Sequence, residues 1–478
     1  MQTCRKKTKI VATLGPASST TETISALLEA GVDVFRINFS HGTRKAHQEL
    51  IRCVREAEKR TGRTPALLAD LQGPKIRTGR TEKDAPVTLT EGDRIRLSSR
   101  DCASDNRQIF IDYPHLAEDV EKGSRILLND GAVALEVTGV EPSEGMIRCR
   151  VLNTGSYSSH KGVNFPHARL KIPALTARDK EDLDFILSQE FHFVAMSFVR
   201  HREDLTPLRE ITGKHENPPR IIAKIEKPEA AENIRSILKV CDGIMVARGD
   251  LGVEAAMSEI PIIQKKLIQE ANNQCKAVIV ATQMLESMIH QPLPTRAETT
   301  DVANALLDGT DAVMLSGETA VGKYPVGTVR MMTKIIQKTE SSQYYPREIM
   351  NLTTHSRQVT QAVCEAAALA SRDLGDIPVV ALTQTGSTAW YLANIRAQGP
   401  LYAFSPSHSV VHQLSLTWNT MAFQIGFEKS VLELIPELEA KLISRECVKK
   451  GDPLVIVSGM RLEHGATNLM RIKRVGEE

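Results

Sequence analysis

Short apolar runs alternate along the chain with longer stretches whose apolar residues recur at helical spacing. The runs are TKIVATLG (8–15), VDVFRINFS (32–40), PALLADLQG (65–73), FHFVAMSFV (191–199), RIIAKIE (220–226), CDGIMVARGD (241–250), KAVIVATQML (276–285) and GTDAVMLSGET (309–319). Their length and β-branched content predict buried strands. Stretches such as TARDKEDLDFILSQ and PIIQKKLIQEANNQ predict the helices between them. Eight such units in series favour closure into an α/β fold of the (β/α)8 TIM-barrel type over an open doubly wound sheet.

The alternation breaks after the third run. VTLTEGDRIRLSS, RILLNDGAVALEV and GMIRCRVLNTG alternate residue by residue, and Asn129-Asp130-Gly131 is a hairpin-turn sequence. This predicts a small all-β domain inserted over 74–170, leaving the barrel at the end where a movable lid would sit. The barrel itself is expected over 1–73 and 171–345. From 346 to 478 the pattern becomes a separate C-terminal α/β regulatory domain, with IPVVALTQTGSTAWYLANI reading as strand, hydroxyl-rich loop and helix, and DPLVIVSGMR as a further strand.

Bulk properties then narrow the class. Sixty basic residues against 58 acidic give a net charge of +2, with no basic stripe, so nucleic-acid binding is not expected. No apolar run approaches membrane-spanning length, and MQTCRKKTKIVATLGP lacks the apolar core of a secretory signal. The eight cysteines, Cys4, Cys53, Cys102, Cys149, Cys241, Cys275, Cys364 and Cys447, form no Cys-x-x-Cys pair; they read as small buried hydrophobes of a reduced, cytoplasmic protein.

Chemistry concentrates where the strands end. Arg36, Asn38 and Ser40 share one face of the second run, with Phe35, Ile37 and Phe39 on the other; Asp70 and Gln72 share a face opposite Leu71. The fifth run contributes Lys224 and Glu226, the sixth Asp250 and the seventh Thr282. Singly, such a residue is ordinarily a solvated loop charge, and Arg36 with Asp70 reads as an ion pair at the barrel mouth. Together they place charged and hydroxyl groups from independent strands at the carboxyl end, where barrel active sites are built. Glu226 and Asp250 suit a hard divalent cation such as Mg²⁺. Lys224 and Arg36 suit a phosphoryl clamp, and ARGDLG suits a strand-to-helix seat for a substrate carboxylate. The combination fits a phosphorylated carboxylic acid that passes through an enolate.

Seven segments, RINFSHG, DLQGPKIRTG, KIEKPEA, MVARGDLGVE, ATQMLESM, PTRAE and MLSGETAVGKYP, resemble in order and spacing the signature segments of the pyruvate kinase family. The resemblance runs along the whole chain. It implies a glycolytic phosphotransferase that makes pyruvate and ATP from phosphoenolpyruvate and ADP, allosterically regulated and usually a homotetramer. By the same resemblance Lys224 would stabilise the phosphoryl in flight and Arg36 would hold it. Glu226 and Asp250 would bind Mg²⁺ (or Mn²⁺), and Gly249, Asp250 and Thr282 would touch the substrate, Thr282 within the network that protonates the enolate. Asn38, His41, Arg77 and Lys161 would lie by the nucleotide. Asn38, Ser40, Asp70 and the carbonyl of Leu71 match the family's monovalent-cation ligands.

Three positions depart from the family. Lys75 stands where potassium-dependent members carry Glu, so an ammonium leaning on Asp70 would replace K⁺ and the enzyme would not require it. Val321 stands where many members have Lys near the nucleotide. In the loop Thr383, Gln384, Thr385, Gly386, Ser387, Thr388, the hydroxyls of Thr383, Thr385, Ser387 and Thr388 precede a helix, as in the family's sugar-phosphate effector site. Gln384 replaces the Lys of members that use fructose 1,6-bisphosphate, which points to a sugar or nucleotide monophosphate. Two other readings compete: a Mg²⁺-dependent lyase acting through an enolate without a nucleotide, and an inactive homologue kept as a metabolite sensor.

Overall fold

The computed structural model describes residues 6–129, 131–166, 168, 170–346, 359–459 and 467–477. Cys4, Asp130, the Met460-Arg461 end of the last strand segment and positions 347–358 of the C-terminal unit lie outside these. Eight parallel strands close a barrel: β1 (Lys9–Thr13), β2 (Val34–Asn38), β3 (Ala66–Asp70), β4 (Phe193–Met196), β5 (Arg220–Ile225), β6 (Gly243–Ala247), β7 (Ala277–Ala281) and β8 (Ala312–Leu315), with β8 returning to β1. Each falls within one of the eight apolar runs. They read as continuous apolar segments because helices cover the outer face and side chains fill the interior. Just past β2, Phe39 packs against Phe185 and Phe191, as the alternation requires of the face opposite Arg36.

Between β3 and β4 the chain builds a β unit with its own apolar core, which includes Ile76, Leu97, Leu128, Val151 and Phe165. Its main sheet has six strands, and strands Arg125–Leu128 and Val133–Glu141 pair antiparallel on either side of the expected turn. This unit overhangs the carboxyl ends of the barrel strands and is tied to the barrel where Asn164 Nδ2 donates to Glu254 Oε1 at 3.2 Å and Arg200 Nη1 donates to the Leu170 carbonyl at 2.9 Å.

The C-terminal unit covers the opposite end. Its sheet contains β9 (Val379–Leu382), β10 (Leu401–Ser405), β11 (Thr420–Gln424), β12 (Pro453–Gly459) and β13 (Thr467–Arg474), in the order β11-β10-β9-β12-β13. Period-two alternation splits its apolar residues: Val379 and Ala381 join the barrel's core, whereas Val380 and Leu382 join a second cluster with Tyr402 and Leu438. Polar ties fix the junction at the amino ends of the barrel strands. Lys9 Nζ donates to the Thr420 carbonyl at 2.7 Å, Arg396 pairs with Asp311 at 2.9 Å, and Arg220 Nη2 donates to the Thr385 carbonyl at 2.7 Å. Cys53, Cys149, Cys241 and Cys364 are buried free thiols, whereas Cys102, Cys275 and Cys447 are half-buried.

Candidate active site

Parallel pairing brings the polar strand ends to one rim. Asn38 lies beside Asp70 in the β2–β3 register, and Asp70 beside Ala195 of β4. The last inward-facing positions of β2, β3 and β5 therefore converge, and their charges organise around Asp70, which is 1% exposed. Arg36 Nε and Nη2 approach Asp70 Oδ2 at 2.7 and 2.6 Å, while Lys224 Nζ lies 3.3 Å from Oδ1. Arg36 also donates to Thr13 Oγ1 at 3.0 Å. The expected Arg36–Asp70 ion pair is present, and it orients the guanidinium rather than exhausting it.

Lys224 is the pivot. Its ammonium lies 2.7 Å from Glu226 Oε1 and donates to Ser197 Oγ at 2.8 Å; Ser197 in turn donates to the Leu71 carbonyl at 2.8 Å. Burial alone would discharge Lys224, but Asp70 and then Glu226 raise its pKa and keep it cationic. Burial works against Asp70 too, and there Lys224 and Arg36 prevail and hold the carboxyl below its ordinary range. Glu226 ends differently: burial pushes it up against the opposing pull of Lys224, and Asp250 adds to the rise. Its second oxygen accepts from the Phe198 amide at 2.8 Å.

Asp250 sits exposed in the first turn of the helix Arg248–Glu254, and its side chain makes no hydrogen bond or ion pair among the described residues. A buried carboxylate with raised proton affinity and an unpaired one across a shared cleft form a hard oxygen donor set, which fits Mg²⁺ or Mn²⁺. The cleft is lined from the barrel by Arg36, Lys224, Glu226 and Asp250 and from the overhanging unit by Asn164 and Phe165.

Thr282 has φ of 67° and Gln283 of 55°, a left-handed pair that is costly for a β-branched residue, by about 1–3 kcal/mol. Arg248 holds the pair in place. Its Nη2 donates to the carbonyls of Thr282 (2.8 Å) and Gln283 (3.2 Å), and its Nη1 is anchored on both oxygens of Asp301 at 2.7 and 2.6 Å. Thr282 Oγ1 accepts from the Gly249 amide at 2.8 Å and donates to the Ala281 carbonyl at 2.6 Å. One N–H of the expected carboxylate seat is thus directed at Thr282.

The remaining expected residues spread outward. Asn38 Oδ1 accepts from the Ser40 amide at 3.1 Å. His41 is exposed at the rim, and Arg77 belongs to the overhanging unit, where it donates to the His160 carbonyl at 2.9 Å. Lys161 is exposed beside it and bound to Thr78 through its backbone. Lys75 does not lean on Asp70. Asp70's cationic partners are Arg36 and Lys224, whereas Lys75 is exposed and, after burial, is the largest influence lowering the His41 pKa. Val321 is exposed. In the 383–388 loop, Thr383 Oγ1 accepts from the Gly386 amide at 3.0 Å and Thr388 Oγ1 meets Thr467 Oγ1 at 2.8 Å, both inside the fold. Ser387 is exposed and Thr385 half-buried, with their hydroxyls 3.2 Å apart.

Sequence reasoning gave no role to Ser197, Arg248 or Asp301. Ser197 follows β4 directly, so the strand-end rule applied to SFVR would have found it. The Arg248–Asp301 brace spans two barrel units and has no local signal.

A family model for pyruvate kinase, barrel domain, matches residues 5–329, and one for pyruvate kinase, alpha/beta domain, matches residues 361–473. The chain belongs to the pyruvate kinase family. A pyruvate kinase of Mycobacterium intracellulare is 43% identical over 478 residues, 99% of each chain. One of Geobacillus stearothermophilus is 41% identical over 99% of this chain and 81% of its own. Among solved structures, a pyruvate kinase from Cryptosporidium parvum superposes with a TM-score of 0.90 at 32% identity, covering 98% of this chain and 96% of that one. Pyruvate kinases are phosphotransferases that bind phosphoenolpyruvate and ADP and make pyruvate and ATP, and the family uses a divalent and a monovalent cation. Membership does not favour the nucleotide-free lyase or the inactive sensor. Among the described residues no helix is long and apolar enough to cross a membrane.

Proposed function

We propose that this chain transfers the phosphoryl group of phosphoenolpyruvate to ADP with the residues just described. The bond from phosphorus to the enol oxygen breaks, a terminal oxygen of ADP bonds to phosphorus, and the enolate takes a proton at carbon to become pyruvate. The observation that carries the reading is the buried Lys224 held between Asp70 and Glu226, beside Arg36 and opposite an unpaired Asp250. Two preorganised cations can follow negative charge as it shifts over the phosphoryl oxygens, without reorganising solvent. Glu226 and Asp250 would hold Mg²⁺ or Mn²⁺, which supplies further neutralisation of phosphoryl and enolate oxygens. Gly249, Asp250 and Thr282 position the substrate, and the Thr282 hydroxyl belongs to the route that protonates the enolate. Asn38, His41, Arg77 and Lys161 serve the nucleotide, which places it between the barrel rim and the overhanging unit acting as a lid.

The reading extends to control. Lys75 stands at the cleft with Asn38, Ser40 and His41, and its ammonium supplies the charge that K⁺ would otherwise bring, so catalysis proceeds without K⁺. The 383–388 loop receives a phosphorylated effector through Thr385, Ser387 and the helix start behind them, with Thr383 and Thr388 shaping the loop. Arg220 links that loop to β5, whose other end carries Lys224 and Glu226. A cytoplasmic homotetramer completes the proposal; light scattering measures the assembly.

The test is pyruvate formation from phosphoenolpyruvate, ADP and Mg²⁺ in tetramethylammonium buffer, with and without KCl. Equal rates are expected. Turnover only with KCl overturns the role of Lys75, and no ADP-dependent turnover in either buffer overturns the phosphotransfer.

A further inference from the structure

Far from the mouth, at the junction of barrel and C-terminal unit, Glu58, His408 and His412 each bring one ligand atom to within 4.8 Å of the other two. We propose that these three residues form a binding site for a divalent ion of the Zn²⁺ class that clamps the two units together.

Each side chain arrives from a defined element. Glu58 lies in the last turn of the barrel helix Arg44–Thr61. His408 and His412 sit four residues apart on the helix His408–Gln413, hence on one face. The tautomer of His412 follows from its partners. Its Nδ1 lies 2.7 Å from the Pro65 carbonyl, an acceptor only, so Nδ1 carries the proton and Nε2 presents a lone pair. Burial strongly disfavours a second proton on this ring.

That lone pair faces His408 Nε2 at 3.2 Å and Glu58 Oε1 at 3.3 Å. A hydrogen on His408 Nε2 answers the first approach; the second is answered either by a proton on Glu58, whose affinity for one is raised by burial, or by a cation. A cation between the three atoms answers both. These two separations match the edge of a tetrahedron with metal–ligand bonds of about 2.0–2.1 Å, which is roughly 3.3 Å; the third, between His408 and Glu58, is longer though within 4.8 Å, so the exposed His408 must turn towards Glu58 to close the site.

The surroundings are those of a metal centre. A ligating imidazole typically donates its other N–H to a backbone carbonyl, as His412 does to Pro65. The second oxygen of Glu58 is held by Arg55 Nη1 at 3.3 Å, which fixes the carboxylate and also weakens its pull on an ion. His192 stacks on His412 at 4.4 Å and is not a ligand, because its Nδ1 accepts from the Leu67 amide. Two imidazoles and one carboxylate select Zn²⁺ over Mg²⁺, and the exposed His408 leaves a fourth position open to water.

The experiment uses the full chain, stripped with a chelator and held in saturating Mg²⁺ so that the acidic mouth is occupied. Zn²⁺ binding is measured by competition with a chromophoric indicator, and Co²⁺ is added separately to read its visible absorption. One ion per chain, an intense tetrahedral Co²⁺ band and a Zn²⁺-dependent rise in Tm are expected. His408→Ala and Glu58→Gln should lower Zn²⁺ affinity by about tenfold or more and lose the Co²⁺ band. His408 is exposed, so its variant should fold and keep the zinc-free turnover of the parent. Unchanged affinity in both variants, or no Zn²⁺ bound by the parent at micromolar concentration, overturns the proposal.

Discussion

At the barrel mouth, all but the exposed Asp250 of the central charged groups are buried and matched: Asp70 answers Arg36 and Lys224, and Lys224 answers Glu226 and Ser197. In the 383–388 loop the polar groups are neutral and divided, with Thr383 and Thr388 turned inward while Ser387 faces solvent. The difference teaches what each site is built to resist. A catalytic cation in a low-dielectric rim loses its charge unless carboxylates are fixed around it, so the strands hold everything in place before substrate arrives. A loop at a helix start needs only a shaped backbone and a few free donors, and can stay adaptable.

The largest effect should come from breaking the charged cluster. Lys224→Met leaves Asp70 and Glu226 facing each other without their ammonium and removes a donor to the moving phosphoryl. Turnover in a pyruvate-formation assay should fall by about 10²–10³-fold or more. Next is the brace beneath it. Arg248→Met frees the strained Thr282–Gln283 pair, and displacement of Thr282 should cost about 10- to 100-fold in kcat; an unchanged kcat would deny the brace any role.

The seam between the two regions is sharpened by pH. His192 and His412 are buried and held neutral, His412 with a pKa down to about 3. On unfolding they titrate near the ordinary imidazole value of 6.5. The stability they contribute is therefore complete above that value and lost as pH falls below it, at up to about 1.4 kcal/mol per pH unit for each ring. Denaturant titrations of chelator-treated protein between neutral and mildly acid pH should show this slope, and His192→Asn should flatten it.

In the loop, Ser387→Asp sets a carboxylate against the phosphate of the proposed effector. The effector concentration giving half-maximal response should rise about tenfold, a change worth about 1.4 kcal/mol. The smallest effect separates inward from outward hydroxyls: Thr383→Val loses the bond from the Gly386 amide and should destabilise folding by about 1 kcal/mol. If Ser387→Asp and Thr383→Val behave alike, the division of the loop is wrong.

The barrel was legible because its strands are mostly apolar runs that end at charged or hydroxyl residues, a pattern imposed by burial on both faces. Lys224 and Glu226 were legible for the same reason, since period two placed both on the interior face. What escaped notice depends on contacts across the closed barrel. Arg248 finds Asp301 only because consecutive units stand side by side, and Asp70 is claimed by Arg36 and Lys224 before Lys75 can reach it. The inward turn of Thr383 and Thr388 is set by how the loop enters its helix, which composition does not encode. The meeting of Glu58 with His408 and His412 arises only when two units dock.

Strand β5 is anchored at both ends, by Arg220 to the Thr385 carbonyl and by Lys224 to Asp70 and Glu226. Three residues lie between Arg220 and Lys224, a span of about 13 Å of extended chain. Deleting or inserting one residue between them would turn every later side chain to the opposite face of the sheet. Such a change would damage catalysis and the tie to the 383–388 loop in a single event, whereas the 213–217 stretch upstream can lengthen or shorten without touching either, Pro218 being held by the Gln413 that also holds Arg220. Over evolutionary time β5 should therefore keep a fixed length while the turn feeding it varies.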